Sequence, residues 1–216
     1  MEEMKLVREH INEKFTEKSD PIKDMSIGIE KTIQDIKDGK GVNPGEIDKW
    51  GGISDEKVAV YCISYMKNVD DVIGIIDYLF KNKRFRDNPT SLIFHALFRK
   101  PAQEALKIVS YVTNKGVIPN DIDYRVASQK LKEDKGNQTR LKIKQIITDA
   151  SFKNKDKKVL SDLATMAVDL KSYEDAQKFI NSGGKIYKIA ARIAKAVETY
   201  DKEKFDFLSK NLIWQK

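Results

Sequence analysis

The chain has 216 residues, of which 40% are hydrophobic and 34% are charged, and its formal net charge is +7. This balance is typical of a folded protein with a large solvated surface and excludes global disorder. A single cysteine excludes an internal disulfide, and no apolar run is long enough to cross a bilayer, so we expect a soluble protein of a reducing compartment without a signal peptide.

The first 40 residues are predicted to form a small N-terminal helical segment. Apolar residues recur three and four positions apart from Met4 to Phe15, and the pattern stops at Asp20-Pro21, where proline disfavours helical geometry at the preceding residue. A second apolar stripe then continues to Gly39. Side chains around the turn are candidates for attachment to another protein: Phe15, Asp20, Pro21, Ile22 and Met25.

The strongest break in the pattern is the stretch 38–53, DGKGVNPGEIDKWGGI, which holds five glycines and a proline. We predict a glycine-rich linker at 41–53 and a helical-repeat domain at 54–216. The spacing of GKGVNPG matches neither the dinucleotide-binding nor the Walker pattern, and no predicted strand precedes it, which favours a linker over a phosphate loop. Trp50 in this linker either packs the N-terminal segment onto the repeats or is exposed to a partner.

Beyond the linker, four ten-residue segments align at spacings of 33, 35 and 33: IDYLFKNKRF (76–85), VSYVTNKGVI (109–118), KQIITDASFK (144–153) and QKFINSGGKI (177–186). One equivalent position holds Tyr78, Tyr111, Ile146 and Phe179, and the next, a predicted core position, holds Leu79, Val112, Ile147 and Ile180. Each copy ends at a polar or glycine-bearing stop: Lys83, Gly116, Ser151 and Gly184. A fixed period of this size indicates stacked repeats.

The segment ALKIVSYVTNKG (105–116) resembles the second helix and glycine stop of an ankyrin repeat, and SYEDAQKFINSGG (172–184) resembles another copy. Shorter helices predicted at 90–98 and 123–131 give the helix-turn-helix order of that family. The resemblance covers about residues 54–214 and implies a solenoid that binds proteins. Other kinds of helix pair, stacked at a similar period, would give a similar sequence pattern.

A second, shorter resemblance concerns INEKFTEKSDPIKDMSIGI (11–29), which is similar to the opening of uncharacterised proteins encoded by tailed bacteriophages. No function comes with it. It implies a viral origin and a location in the cytoplasm of a bacterial host or in a virion.

Residue types that carry catalysis or bind metals are scarce. Two histidines and one cysteine are too few for a structural zinc site, and no partner set surrounds His10 or His95. Cys62 falls on an apolar helix face with Val58, Tyr61 and Tyr65, where a cysteine behaves as a small buried hydrophobe. The carboxylate pairs Asp70-Asp71 and Asp121-Asp123 stand at predicted helix starts and are interpreted as caps. We predict no catalytic residue, cofactor or metal.

The net charge is uneven, because residues 115–158 hold twelve basic and six acidic residues and so carry +6 of the total. Candidate nucleic-acid contacts within this segment are Lys130, Lys132, Lys135, Arg140, Lys142 and Lys144. No aromatic residues that would stack on bases are interleaved with them, and acidic residues interrupt the run.

The sequence therefore predicts an all-α fold, an ankyrin-like helical-repeat solenoid of four or five helix pairs with a small N-terminal helical segment and a C-terminal cap at 201–214. The predicted function is a non-enzymatic protein–protein interaction module with an unidentified protein partner and no membrane association. The alternative is an accessory nucleic-acid-binding protein that uses the basic segment, and an enzyme with dispersed acidic residues is a third possibility.

Overall fold

The computed structural model describes residues 31, 55–85, 87–153 and 156–212. Their regular structure consists of helices without strands, which confirms the all-α class. The helices between residues 55 and 212 are α1 Asp55–Tyr65, α2 Val69–Lys81, α3 Ser91–Arg99, α4 Ala102–Asn114, α5 Asp121–Glu133, α6 Gln138–Ser151, α7 Lys157–Asp169, α8 Tyr173–Asn181, α9 Ile189–Glu198 and α10 Lys202–Leu212. The attachment residues Phe15, Asp20, Pro21, Ile22 and Met25 and the linker 41–53 lie outside the described residues.

The chain divides into two compact units, and the boundary falls within α2, between Tyr78 and Leu79. In the first unit, α1 buries Val58, Cys62 and Ile63, and the turn after it buries Met66. These positions follow the helical period, so one face of α1 belongs to the core. Tyr65 was expected on this face but is exposed, because the buried stripe passes through Met66 instead.

In the second unit, consecutive helices pack in pairs: α3 with α4, α5 with α6, α7 with α8, and α9 with α10. The first three pairs contact each other through corresponding helices, since α5 packs against both α3 and α7, and α4 packs against α6. The core lies between these helices and includes Leu97, Ile108, Ile143 and Leu163.

Hydrogen bonds define the relative direction of the first two pairs. Asn120 Nδ2, directly before α5, donates to Oγ1 of Thr90, directly before α3, at 3.3 Å. Gln103 at the start of α4 donates to Thr139 at the start of α6 at 2.7 Å. Corresponding helices of the two pairs therefore begin side by side.

Several helices end in the same turn, with a left-handed residue after the last helical turn and a hydrogen bond that spans six residues. The left-handed residues in the first, second and fourth aligned segments are Lys83 (φ 53°), Gly116 (φ 96°) and Gly183 (φ 104°). In these turns the amides of Arg84, Val117 and Gly184 donate to the carbonyls of Leu79, Val112 and Phe179.

The left-handed residue lies where the aligned segments predict the stop at Lys83 and Gly116, and one residue earlier than predicted in the fourth segment, at Gly183. Leu79 and Val112 are fully buried, as expected for a core position. In the fourth segment Phe179 is the buried residue at this position, whereas Ile180 is only half-buried. The left-handed residue is Gly183 because Gly184 lies against the α7 backbone, where a Cβ atom would be 2.6 Å from the Leu160 carbonyl oxygen.

The last helix pair is joined to the preceding one by polar contacts. Lys204 on α10 and Arg192 on α9 both form ion pairs with Asp169 at the end of α7. Lys171 forms a further ion pair with Asp201, with 2.8 Å between Nζ and Oδ2. Leu208 on α10, within the predicted C-terminal cap, is fully buried, while Phe205 and Leu212 on the same helix are partly exposed.

Candidate functional site

The basic run is distributed over two helices and the turn between them. Lys130 and Lys132 lie near the end of α5, and Lys135 lies in the following turn. Arg140, Lys142 and Lys144 lie on α6. Lys135 and Lys142 are exposed, whereas Lys130, Arg140 and Lys144 are partly buried. The run therefore does not form one uniformly exposed basic surface.

Three of these cations have carboxylate partners within the chain. Lys130 Nζ lies 2.8 Å from Glu133 Oε2, and Arg140 Nε lies 3.7 Å from Asp134 Oδ2. Lys144 Nζ lies 2.6 Å from Asp175 Oδ2 on α8. A phosphate would have to compete with these carboxylates, so the positive charge available to a nucleic acid is smaller than the sequence count suggests.

Lys144 belongs to a network that joins three helices. Tyr124 on α5 is fully buried, and its hydroxyl donates a 2.6 Å hydrogen bond to the same Asp175 oxygen that pairs with Lys144. The Lys144 ammonium also lies 5.6 Å from the centre of the Tyr124 ring. Burial, and secondarily the bond to Asp175, raises the pKa of Tyr124 above its ordinary value. These contacts give Lys144 a structural role.

Lys132 has a different partner, because its Nζ donates to the Leu170 carbonyl oxygen at the end of α7 at 3.1 Å. This bond satisfies a carbonyl at a helix end, where positive charge is favourable. It also brings the C-terminal ends of α5 and α7 together.

Phe98 supplies the exposed aromatic residue that the basic run lacks in sequence. It lies on α3, is 57% exposed, and stacks nearly parallel to Phe94 at 5.9 Å between ring centres. Arg99 and Lys130 place their charged groups 5.5 Å and 5.9 Å from the centre of the Phe98 ring. Lys130 is also paired with Glu133, so Arg99 contributes most of the positive charge beside the exposed ring. An exposed ring next to a cation is suited to bind an apolar or aromatic group that carries negative charge. We call Phe94, Phe98, Arg99 and Lys130 the Phe98 cluster.

Phe98 and Lys130 belong to different helix pairs, so the sequence around either residue does not predict their contact. The repeat alignment offers the only clue. It predicts that α3 and α5 are corresponding helices of adjacent repeats, whose ends would lie close together.

A pocket of about 330 Å³ lies at the other end of α3, between the segment after α2 and the segment after α4. Its apolar lining comes from Phe80, Phe85, Val117 and Ile118, and its exposed charged lining comes from Lys83, Asp87 and Lys115. The sequence pattern identified Lys83 only as the end of an aligned segment and predicted no pocket here.

Of the two carboxylates predicted to cap α5, Asp123 takes part in a cap, whereas Asp121 lies in the first turn. Asn120 and Asp123 form a capping box, in which each side chain accepts a hydrogen bond from the backbone N–H of the other residue. Burial, opposed by the Asn120 backbone N–H and assisted by nearby Asp121, raises the pKa of Asp123 to about 7. On α2, Asp70 and Asp71 lie in the first turn.

The reactive side chains lie in environments that favour their neutral forms. Cys62 is buried as predicted, and burial raises the pKa of its thiol to about 12, away from the thiolate that acts as a nucleophile. Burial and nearby Arg99 lower the pKa of His95. His10 lies outside the described residues. Within the described ranges, no group of three or more metal-binding side chains converges.

The helices of the described segments are all too short or too polar to cross a membrane. Comparisons of the chain with protein-family models, curated proteins and solved structures give no match.

Proposed function

We propose that this chain is a non-enzymatic protein–protein interaction module built as an ankyrin-like helical-repeat solenoid. Its partner is a protein, and the bound surface includes the Phe98 cluster on α3 and α5. The similarity of residues 11–29 to tailed-phage proteins makes the cytoplasm of a bacterial host, or a virion, the proposed setting.

The pairwise packing of the second unit supports the repeat architecture. Corresponding helices of adjacent pairs contact each other, α3 with α5, α5 with α7 and α4 with α6. The turns at Lys83 and Gly116 are 33 residues apart and share the left-handed residue and the six-residue hydrogen bond. Stacked repeats expose a continuous surface of corresponding helices, which such proteins use to bind partners.

The single observation that carries the functional proposal is the exposed Phe98 ring between Arg99 and Lys130. Aromatic residues and arginine are enriched in protein interfaces and dominate binding energy there. The ring is held by its stacking on Phe94, so little side-chain freedom is lost when a partner binds.

Nucleic-acid binding remains the rival, because an exposed ring beside two cations is also suited to stack on a base. The ion pairs of Lys130, Arg140 and Lys144 favour the protein partner, since they leave the basic run without an uninterrupted row of available charges. A short acidic segment needs fewer free cations than a phosphate backbone.

Site-specific photo-crosslinking tests the proposal. The full chain would carry p-benzoylphenylalanine at Phe98 or, as a control, at Gln145, which is exposed on α6. Each variant would be irradiated in lysate of the source cells at near-physiological salt. We expect a discrete protein adduct from position 98 that survives nuclease treatment and is absent from position 145. Adducts that disappear with nuclease would instead support nucleic-acid binding, and identical adducts from both positions would contradict a specific surface.

A further inference from the structure

The pocket beside α3 is formed by two segments that occupy equivalent places in adjacent repeats. One segment follows α2 and contributes Phe80 and Phe85, whose rings contact each other at 4.6 Å between centres. The other follows α4 and contributes Val117 and Ile118. With a volume of about 330 Å³, the pocket lies at the lower end of the range for binding sites and suits one large side chain.

The two segments are fixed to each other by the Asn88 side chain. Its amide nitrogen donates to the Ile118 carbonyl at 2.7 Å, and its amide oxygen accepts from the Ile118 N–H at 3.0 Å. This pair of bonds reproduces the pattern of backbone pairing between extended segments. The pocket is therefore preformed, and a ligand does not have to order its walls.

Among the described residues around the apolar lining, more side chains are positively charged than negatively charged. Lys83 and Lys115 contribute two positive charges, and Asp87 contributes one negative charge. All three residues are exposed. The Lys115 ammonium also lies 5.2 Å from the centre of the Tyr111 ring. A ligand with negative charge next to its apolar group is therefore favoured over a neutral or basic one.

Lys83 adds a second observation, because its backbone adopts a conformation that favours glycine. Its φ is 53°, and the equivalent residue of the next repeat is Gly116. A left-handed conformation costs a residue with a Cβ atom roughly 1–2 kcal/mol. Lys171, Lys188 and Tyr200 share this conformation away from the pocket, so the strain is not specific to Lys83, but the Lys83 side chain is the one of these four that lines the pocket.

We propose that this pocket binds a bulky apolar side chain within an acidic segment of the partner protein, with Lys83 and Lys115 attracting the flanking carboxylates. The pocket is a second contact, separate from the Phe98 cluster, and the inference rests on the proposed protein-binding function.

The test uses short fluorescein-labelled peptides and the full chain at near-physiological salt. The probe peptide has a central leucine flanked by aspartate and glutamate residues. Matched peptides replace the leucine with alanine or the acidic residues with lysine. Binding is measured by fluorescence anisotropy, and the amide resonances of Gly116, Val117 and Ile118 report where the peptide binds.

Three variants complete the test. Lys83→Gly removes one charge without backbone strain and should weaken binding about two- to fivefold while the fold is retained. Ile118→Glu places a negative charge on the pocket wall and should abolish binding of the acidic peptide. The fold should be retained, because Ile118 bonds to Asn88 through its backbone. Lys188→Gly is the matched control, since Lys188 has a similar φ of 51° but does not line the pocket, and it should bind the peptide as the unmodified chain does.

Saturable binding that needs both the leucine and the acidic residues, with shifts at the three amides, would support the inference. Equal binding of the alanine peptide, unchanged binding to Ile118→Glu, or no binding of any peptide would overturn it. Shifts of the same amides caused only by a thymidine oligonucleotide would also overturn it. If a protein adduct forms at position 98 but no peptide binds the pocket, only the proposed role of the pocket is refuted. If neither the adduct nor peptide binding is observed, the proposed protein-binding function is refuted as well.

Discussion

Replacing Asp175 with alanine should destabilise the second unit strongly, because one of its carboxylate oxygens contacts two other side chains. Asp175 Oδ2 lies 2.6 Å from the Tyr124 hydroxyl and 2.6 Å from Lys144 Nζ. The tyrosine is fully buried, and the side chains of Lys144 and Asp175 are only 18% and 14% exposed. Removing the carboxylate therefore leaves a buried hydroxyl and a largely buried ammonium without this partner.

The magnitude follows from these two losses. A buried hydroxyl left unpaired costs about 1–3 kcal/mol, and breaking a buried ion pair by deleting one partner costs about 3–5 kcal/mol. Because the ammonium keeps some access to water, and because Ser172 and Ser128 remain beside the Tyr124 hydroxyl, we expect less than the sum of the two costs, roughly 3–4 kcal/mol for Asp175→Ala. Tyr124→Phe removes one hydrogen bond to a charged group and leaves the ion pair, so it should cost about 1.5–3 kcal/mol.

Urea unfolding followed by far-ultraviolet circular dichroism measures these changes as free energies of unfolding. Asp175→Asn is the matched control, since its amide oxygen still accepts from Tyr124 but carries no charge, and it should fall between Asp175→Ala and the unmodified chain. A cost of Asp175→Ala below about 0.5 kcal/mol, the size expected of surface changes, would refute the network.

The remaining predictions concern the Asn120–Asp123 capping box, the turn at Gly184 and the buried position of the aligned segments. Because the pKa of Asp123 is raised from 3.8 to about 7, the folded state holds this proton more tightly than the unfolded state. The free energy of unfolding should therefore fall as pH rises from about 4 to about 7, and Asp123→Asn, followed by urea unfolding across this range, should flatten that slope. Gly184→Ala should lower the melting temperature because its Cβ atom would collide with the α7 backbone, whereas Gly74→Ala, in open space on a helix, should raise stability by about 0.5–1 kcal/mol. Ile147→Ala should cost about 2–4 kcal/mol in chemical unfolding, and Ile180→Ala clearly less, since only Ile147 is fully buried; equal costs would contradict the corrected register.

The helical period predicted the fold class and most helix positions, because each helix has an apolar face that packs against its neighbours. It also predicted the turns at Lys83 and Gly116. It failed at the fourth turn, where two adjacent glycines are both compatible with a left-handed residue. Contact of Gly184 with the backbone of another helix decides between them, and a linear pattern does not contain that contact.

The candidate site was less predictable because its contacts join different helix pairs. A count of charges treats Lys144 as an available cation, but its carboxylate partner lies on α8. The absence of aromatic residues within the basic run suggested that no stacking group was present. Phe98 comes from α3, and packing of that helix against α5 brings the ring close to Lys130.

The most direct test of the protein-binding account is the affinity of the protein captured at position 98 for the full chain and for Phe98→Ser, measured by isothermal titration calorimetry after nuclease treatment. The fold should survive this change, because the Phe98 side chain is 57% exposed. We expect saturable binding by the unmodified chain and a loss of affinity of at least about tenfold in the variant, because an aromatic residue at the centre of an interface contributes much of its binding energy. Equal affinity for the two chains, or binding that disappears with nuclease treatment, would contradict it.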